Sequence, residues 1–305
     1  MRRFSIVRAA CSLGFLAAMA APASAADALP TDPIATVRYL FGKSTTEEAK
    51  ALTTGELGEI VSRNGSPLNP NLAMENIAVI GQDDKATIVS AELPALPDHS
   101  NGYVFLTKED GRWKVEALRT LDLPVDLIKR RFTWEQASAQ QRQEAFKGKD
   151  PKVVAEYETA IASIRLAMQP DRALAAFFND HKGAFQDLQA RLAKGGLSGQ
   201  VSVANLLLGQ LVGWSDAPDA DERNAMAKTF VDLLLAGGVS ANLGAPPRDK
   251  PRCGDDCSMF AIYEEQGRSV GYVWIGPKGR VPAMSPVNFI LMQPLGEGWY
   301  LYKMI

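Results

Sequence analysis

A chain of 305 residues with 46% apolar and 22% charged side chains is neither disordered nor fibrous, and it is long enough for two cores of ordinary domain size. Its 33 basic and 35 acidic residues give a formal net charge of −2. Nucleic acid and anionic lipid both demand clustered Lys and Arg, so neither is an expected partner. The one basic concentration, Lys129–Arg131 in IKRRF, reads as a solvated linker or strand end.

Residues 1–25, MRRFSIVRAACSLGFLAAMAAPASA, place Arg2, Arg3 and Arg8 ahead of or at the start of an apolar run from Ala9 to Ala21, then reach Ala23-Ser24-Ala25. That order is an export leader with a small-x-small cleavage site, predicting release after Ala25 into the periplasm or medium. A membrane anchor is the alternative, but the run is shorter than the ~20 residues that span a bilayer, and no later apolar run approaches that length. Cys11 sits inside the apolar run, so it does not read as a lipid acceptor.

After Pro33, Ile34, Val37, Leu40 and Phe41 recur at helical spacing, and TTEEAKALTTGELGEIVS continues in short helical pieces capped by Thr45 or Thr46. Residues 76–93 hold two β-branched runs around a polar turn, Gly81 to Lys85, and 101–121 read as strand, Gly turn and strand. The first unit, 32–131, is therefore helices followed by an antiparallel meander. In the connector, 132–170, a short polar helix at 133–146 precedes a long one between Asp150-Pro151 and Pro170. The long helix carries Val154, Tyr157, Ile161, Ile164 and Met168 on one stripe. A further helix spans 171–196, capped by Asp171 and ended by Gly195-Gly196, with two more at 200–213 and 220–236 and an exposed linker at 244–251. Strands return at 258–280 and 286–305, which makes 171–305 a second unit. The predicted class is α+β: two helix-then-antiparallel-meander units joined by a helical segment.

The two last hairpins match without a gap, Tyr103–Leu106 on Phe289–Met292 and Trp113 on Trp299, which suggests a duplication. YVFLTKEDGRWKVEAL, with Asp110 to Val115 at its final turn, resembles the end of a nuclear transport factor 2-like domain, the cystatin-like cone in which a curved sheet wraps a long helix. LGEGWYLYKMI, with Gly298, Trp299 and Tyr300, is a weaker version of that ending. The resemblance covers roughly 20 residues in each half. It implies a cone that often encloses an apolar pocket, an enzyme site in some members and a binding or dimerisation site in others. Ketosteroid-isomerising members need an aspartate base beside a Tyr and a protonated Asp; no position here answers to that set, so no catalytic residue is carried over.

Once the leader is removed only Cys253 and Cys257 remain, in KPRCGDDCSMF, and an oxidising compartment should pair them in a structural disulfide. Thioredoxin-like chemistry uses two intervening residues, and Asp255 and Asp256 disfavour a thiolate. A metal site would need further ligands. His99, in a Pro-rich loop with Asp98 and Ser100, reads as part of a capped turn; His181, in NDHKG, reads as a solvated helical position or local break. No nucleophile elbow, H-E-x-x-H or phosphate-cradling loop is present, and GPKGR at 276–280 fits a turn between strands. Catalytic, metal and cofactor residues are thus expected to be none. The expected function is an exported, non-enzymatic binding or assembly protein taking a small apolar ligand or a protein partner. Isomerisation or hydrolysis of a small hydrophobic substrate is the alternative, and an assembly role with both cones filled a third. A pocket holding a carboxylate or His with a polar partner would favour the enzyme.

Overall fold

The computed structural model describes residues 29–64, 72–194, 199–201, 253, 256–265 and 267–305, with Asp221, Ala225, Lys228 and Thr229. The leader at 1–25, the helices expected at 200–213 and 220–236 and the linker at 244–251 lie outside the described residues, these isolated positions, Gln200 and Val201 excepted. The rest is α+β, built on two separate sheets whose pairings are antiparallel but for one.

The first three helices follow their caps. The Asp32 carboxylate accepts from the Ala35 N–H (2.8 Å) and opens α1 (Pro33–Gly42). Thr45 and Glu48 form a reciprocal capping box at α2 (Thr46–Ala51), and α3 spans Gly55–Asn64. Four strands follow in sequential order: β1 (Glu75–Gln82), β2 (Ala86–Glu92), β3 (Asn101–Glu109) and β4 (Arg112–Thr120). Next come α4 (Val125–Gln136), α5 (Ala139–Ala145), α6 (Pro151–Ala167) and α7 (Asp171–Lys194). The second sheet holds β5 (Gly199–Val201), β6 (Cys257–Glu265), β7 (Arg268–Ile275), β8 (Phe289–Gly296) and β9 (Trp299–Met304), in the order β5-β6-β7-β9-β8. Only the β5–β6 pairing is parallel.

Period-2 alternation assigns the faces. On β3, Val104 and Leu106 join α1–α3 in one cluster with Val37, Leu40, Leu52 and Val61. Tyr103 and Phe105 point the other way, into a cluster shared with α4, α6, α7 and the second sheet. That central core is contributed by both halves of the chain: Phe178 and Phe185 of α7 pack on Tyr272 of β7 and Trp299 of β9, with ring centroids 5.0–6.0 Å apart. Of the expected stripe on α6, Ile161, Ile164 and Met168 are buried.

The hairpin match fails by one residue. Both turns use two consecutive left-handed residues, Asp110-Gly111 (φ 50° and 78°) and Glu297-Gly298 (φ 53° and 80°). Trp299 follows its turn directly, whereas Arg112 separates Trp113 from its own. A one-residue slip moves a strand's side chains to the opposite face, so Trp113 lies under α1–α3 and Trp299 in the central core. Strand order differs as well: β4 is an edge strand and β9 an inner one. The equivalence of Trp113 and Trp299 does not hold.

Candidate functional site

A buried polar cluster gathers where α7 begins. Its centre is Asp171, only 6% exposed. The Pro170 carbonyl accepts the Ala173 and Leu174 N–H groups (2.8 and 3.2 Å), so the Asp171 carboxylate turns inward instead of serving as the expected cap. It accepts from the Tyr103 hydroxyl at 2.7 and 3.0 Å, and Lys303 Nζ lies 2.7 Å from Oδ1. Asn101 completes the arrangement: its Oδ1 accepts from the Asp171 N–H (2.8 Å) and its Nδ2 donates to Ser90 Oγ (2.9 Å). Tyr103 comes from the first sheet, Asp171 from α7 and Lys303 from the last strand.

Lys303 is 1% exposed because it continues the inward row of Trp299 and Leu301 on β9. A buried ammonium is tolerated only when paired, and Asp171 supplies the pair. Burial and the adjacent Asp171 carboxylate push the Tyr103 phenol well above its ordinary range, so it remains a donor.

Four ion pairs, in two groups, surround this centre. Arg172 grips Glu92 through Nε (2.7 Å) and Nη2 (3.2 Å). The Arg172 contact, against the opposing effect of burial and with smaller help from Asn76 and His99, holds the Glu92 carboxyl below its usual range. On the other side Arg131, 4% exposed, makes a bidentate contact to Asp98 and reaches Glu135 (2.9 Å), which also accepts from Arg165 (2.7 Å). Burial pushes the Glu135 carboxyl up, and the two guanidinium contacts outweigh it. The reading of IKRRF as a solvated linker or strand end is thereby corrected. It lies on α4, and Arg131 is drawn inward because Asp98 and Glu135 satisfy its fork.

Asp98 and His99 both adopt left-handed backbones, at φ 55° and 57°, in a short 3-10 turn. Side chains resist that region, and the Arg131 grip on Asp98 supplies a compensating contact. The His99 ring is exposed. His181 sits on α7, its Nδ1 2.8 Å from the Phe177 carbonyl and its ring against Phe177 (4.4 Å); the structure does not bring the two histidines together. Among the described residues no group of three His, Cys, Asp or Glu is arranged to hold a metal ion.

Cys253 and Cys257 form a disulfide, and both are buried beside Val273, Ile275 and Tyr302. Asp256, between them, accepts from the Lys278 N–H (2.9 Å) through its carboxylate and from the Gly276 N–H (2.8 Å) through its carbonyl. GPKGR is thus a loop folded onto the disulfide, with a β-carbon at Gly276 excluded by the Asp256 carboxylate 2.4 Å away.

A surface depression of about 550 Å³ lies between α1 and the start of β1. Apolar Phe41, Leu72, Met74 and Ile77 line it together with Arg38, Glu75 and Asn76. Arg38 is exposed and makes no ion pair with another described residue. Among the described residues no helix is long and apolar enough to cross a membrane. Comparison with protein-family models, curated proteins and solved structures finds no match to this chain. Neither the Asp171 cluster nor the depression was singled out by the sequence; the sole local sign of the first is an Asp directly after a proline, which also fits a helix cap.

Proposed function

We propose that this is an exported, non-enzymatic assembly or binding protein of the periplasm, freed from a leader ending at Ala25, whose partner is another protein engaged at the depression between α1 and β1. The observation that carries the reading is the filled interior: Phe178, Phe185, Tyr272 and Trp299 occupy the space between α7 and the second sheet. A small apolar ligand needs a site that encloses most of its surface. The depression is open and mixed in character, and Arg38, which pairs with no other described residue, stands beside apolar side chains and suits a protein surface carrying an acid next to an apolar anchor.

The nuclear transport factor 2-like resemblance remains part of this reading as a proposal about ancestry, resting on the two hairpin endings. The pocket that family uses would lie between sheet and helix, where this chain places aromatic rings. The isomerase or hydrolase alternative needs an acid or imidazole open to a substrate; in this cluster Asp98, Glu92, Glu135 and Asp171 are each engaged by a cation, which leaves the exposed His99 ring as the group that alternative would use. A photoreactive residue placed at Met74 and illuminated in intact cells is expected to give one discrete protein adduct, lost in Arg38→Glu. Retention of a fatty-acyl probe at Met74 with no protein adduct would overturn the protein-partner reading.

A further inference from the structure

We propose that Asp171 and Lys303 are a self-modification site, at which the Lys303 amine and the Asp171 carboxyl condense into an intramolecular amide tying the last strand to the first turn of α7. Three observations carry this. The reacting groups are held at 2.7 Å, with side chains 1% and 9% exposed; fixing two reactants in this way replaces a bimolecular encounter by an effectively unimolecular step. Water is kept from the pair, so the product is not returned by hydrolysis. The desolvation cost of a buried ion pair also vanishes when both charges are consumed, because an amide is neutral.

The third observation is the placement of Tyr103 and Asn101. Condensation needs a free amine and a protonated carboxyl, and one proton moving along the Lys303–Asp171 hydrogen bond delivers both. The Nζ lone pair then attacks Cγ, and the oxygen that gains negative charge lies within reach of the Tyr103 hydroxyl, which is 2.7 Å from Oδ1 and 3.0 Å from Oδ2. The C–N bond forms, the other carboxyl oxygen takes a second proton from nitrogen, its bond to Cγ breaks, and it departs as water. Ammonium plus carboxylate gives amide plus water, with nothing oxidised or reduced. Asn101 holds the Asp171 backbone N–H (2.8 Å) and is itself anchored on Ser90, so the carboxyl cannot turn away. Among the described residues no other acid is bonded to either group, which leaves the Tyr103 phenol as the group that polarises the carboxyl.

Mass spectrometry of the full chain tests this directly. Protein purified from its host, with its N-terminus determined and its disulfide reduced, is expected to be lighter than its sequence by one water, about 18 Da. Proteolysis should yield a branched peptide joining the segments that contain Asp171 and Lys303. The unmodified mass, or a dehydration located elsewhere, overturns the proposal without any variant. Tyr103→Phe, which keeps the ring, is expected to leave the folded fraction mostly unlinked; full linkage in that variant overturns the role given to the phenol. Lys303→Met fixes the unlinked reference mass.

Discussion

The hairpins β3–β4 and β8–β9 share a turn type and a run of aromatic and β-branched residues, yet they enter their sheets in opposite senses. In the first, β3 is the inner strand and β4 the edge, closed off by the Thr53 bridge to Val115. In the second, the chain lays β8 at the edge and returns β9 to the middle, against β7. The same local conformation therefore carries different burdens: Trp113 closes a satellite core under three short helices, while Trp299 and Lys303 stand at the centre of the molecule.

If the central core and the cluster beside the disulfide unfold as one cooperative unit, their buried phenols should ionise together. Burial raises Tyr103, Tyr272 and Tyr302 above the ordinary tyrosine value of about 10. A group whose folded pKa is raised contributes stability that is complete below its unfolded value and disappears as pH climbs through the folded one. Phenolate absorbance from these three should therefore arrive only with complete alkaline unfolding. Full ionisation of all seven tyrosines with an unchanged circular dichroism spectrum would break the comparison.

Asp171→Ala strands the Lys303 amine and the Tyr103 hydroxyl without an acceptor, and is expected to cost about 3–5 kcal/mol in urea unfolding. Glu47→Ala, removing an exposed i,i+3 partner of Lys50, should cost under about 0.5 kcal/mol. Equal losses would show that the buried cluster is not the structural centre. The Cys253–Cys257 disulfide closes only a short loop in the unfolded chain, so replacing both by Ser is expected to cost about 2 kcal/mol, measured in the same way.

An effect smaller than the loss at Asp171 separates the two turns. Gly111 and Gly298 both need φ near 80°, but a β-carbon at Gly111 meets nothing within 4 Å, whereas at Gly298 it lies 2.7 Å from the Ile275 carbonyl. Gly298→Ala should therefore destabilise by about 1–2 kcal/mol more than Gly111→Ala. Identical thermal shifts would mean that the terminal hairpin is as free as the first.

What was legible in the sequence was local. The cap at Thr45 or Thr46, the Gly turns and the Pro151 and Pro170 boundaries are signals within four residues, and each element formed where they stand, with Thr45 as the cap. Strand order was not legible, because nothing in a hairpin's own residues says which strand will face a third. Asp171 was read as a cap since its partners, Tyr103 and Lys303, come from strands at distant points of the chain. Arg131 was missed for the same reason: its acceptor Asp98 is 33 positions earlier.

The sheet borders bear on behaviour at high concentration. β4 is covered by Thr53, β1 is interrupted by two register shifts, and β8 carries Pro294 together with two shifts of its own. Irregular or covered borders offer poor templates for another chain, and proline removes a donor. Crowding should therefore not drive these three strands into fibrils, and self-association through them should leave the amide I signature of intermolecular β-structure absent.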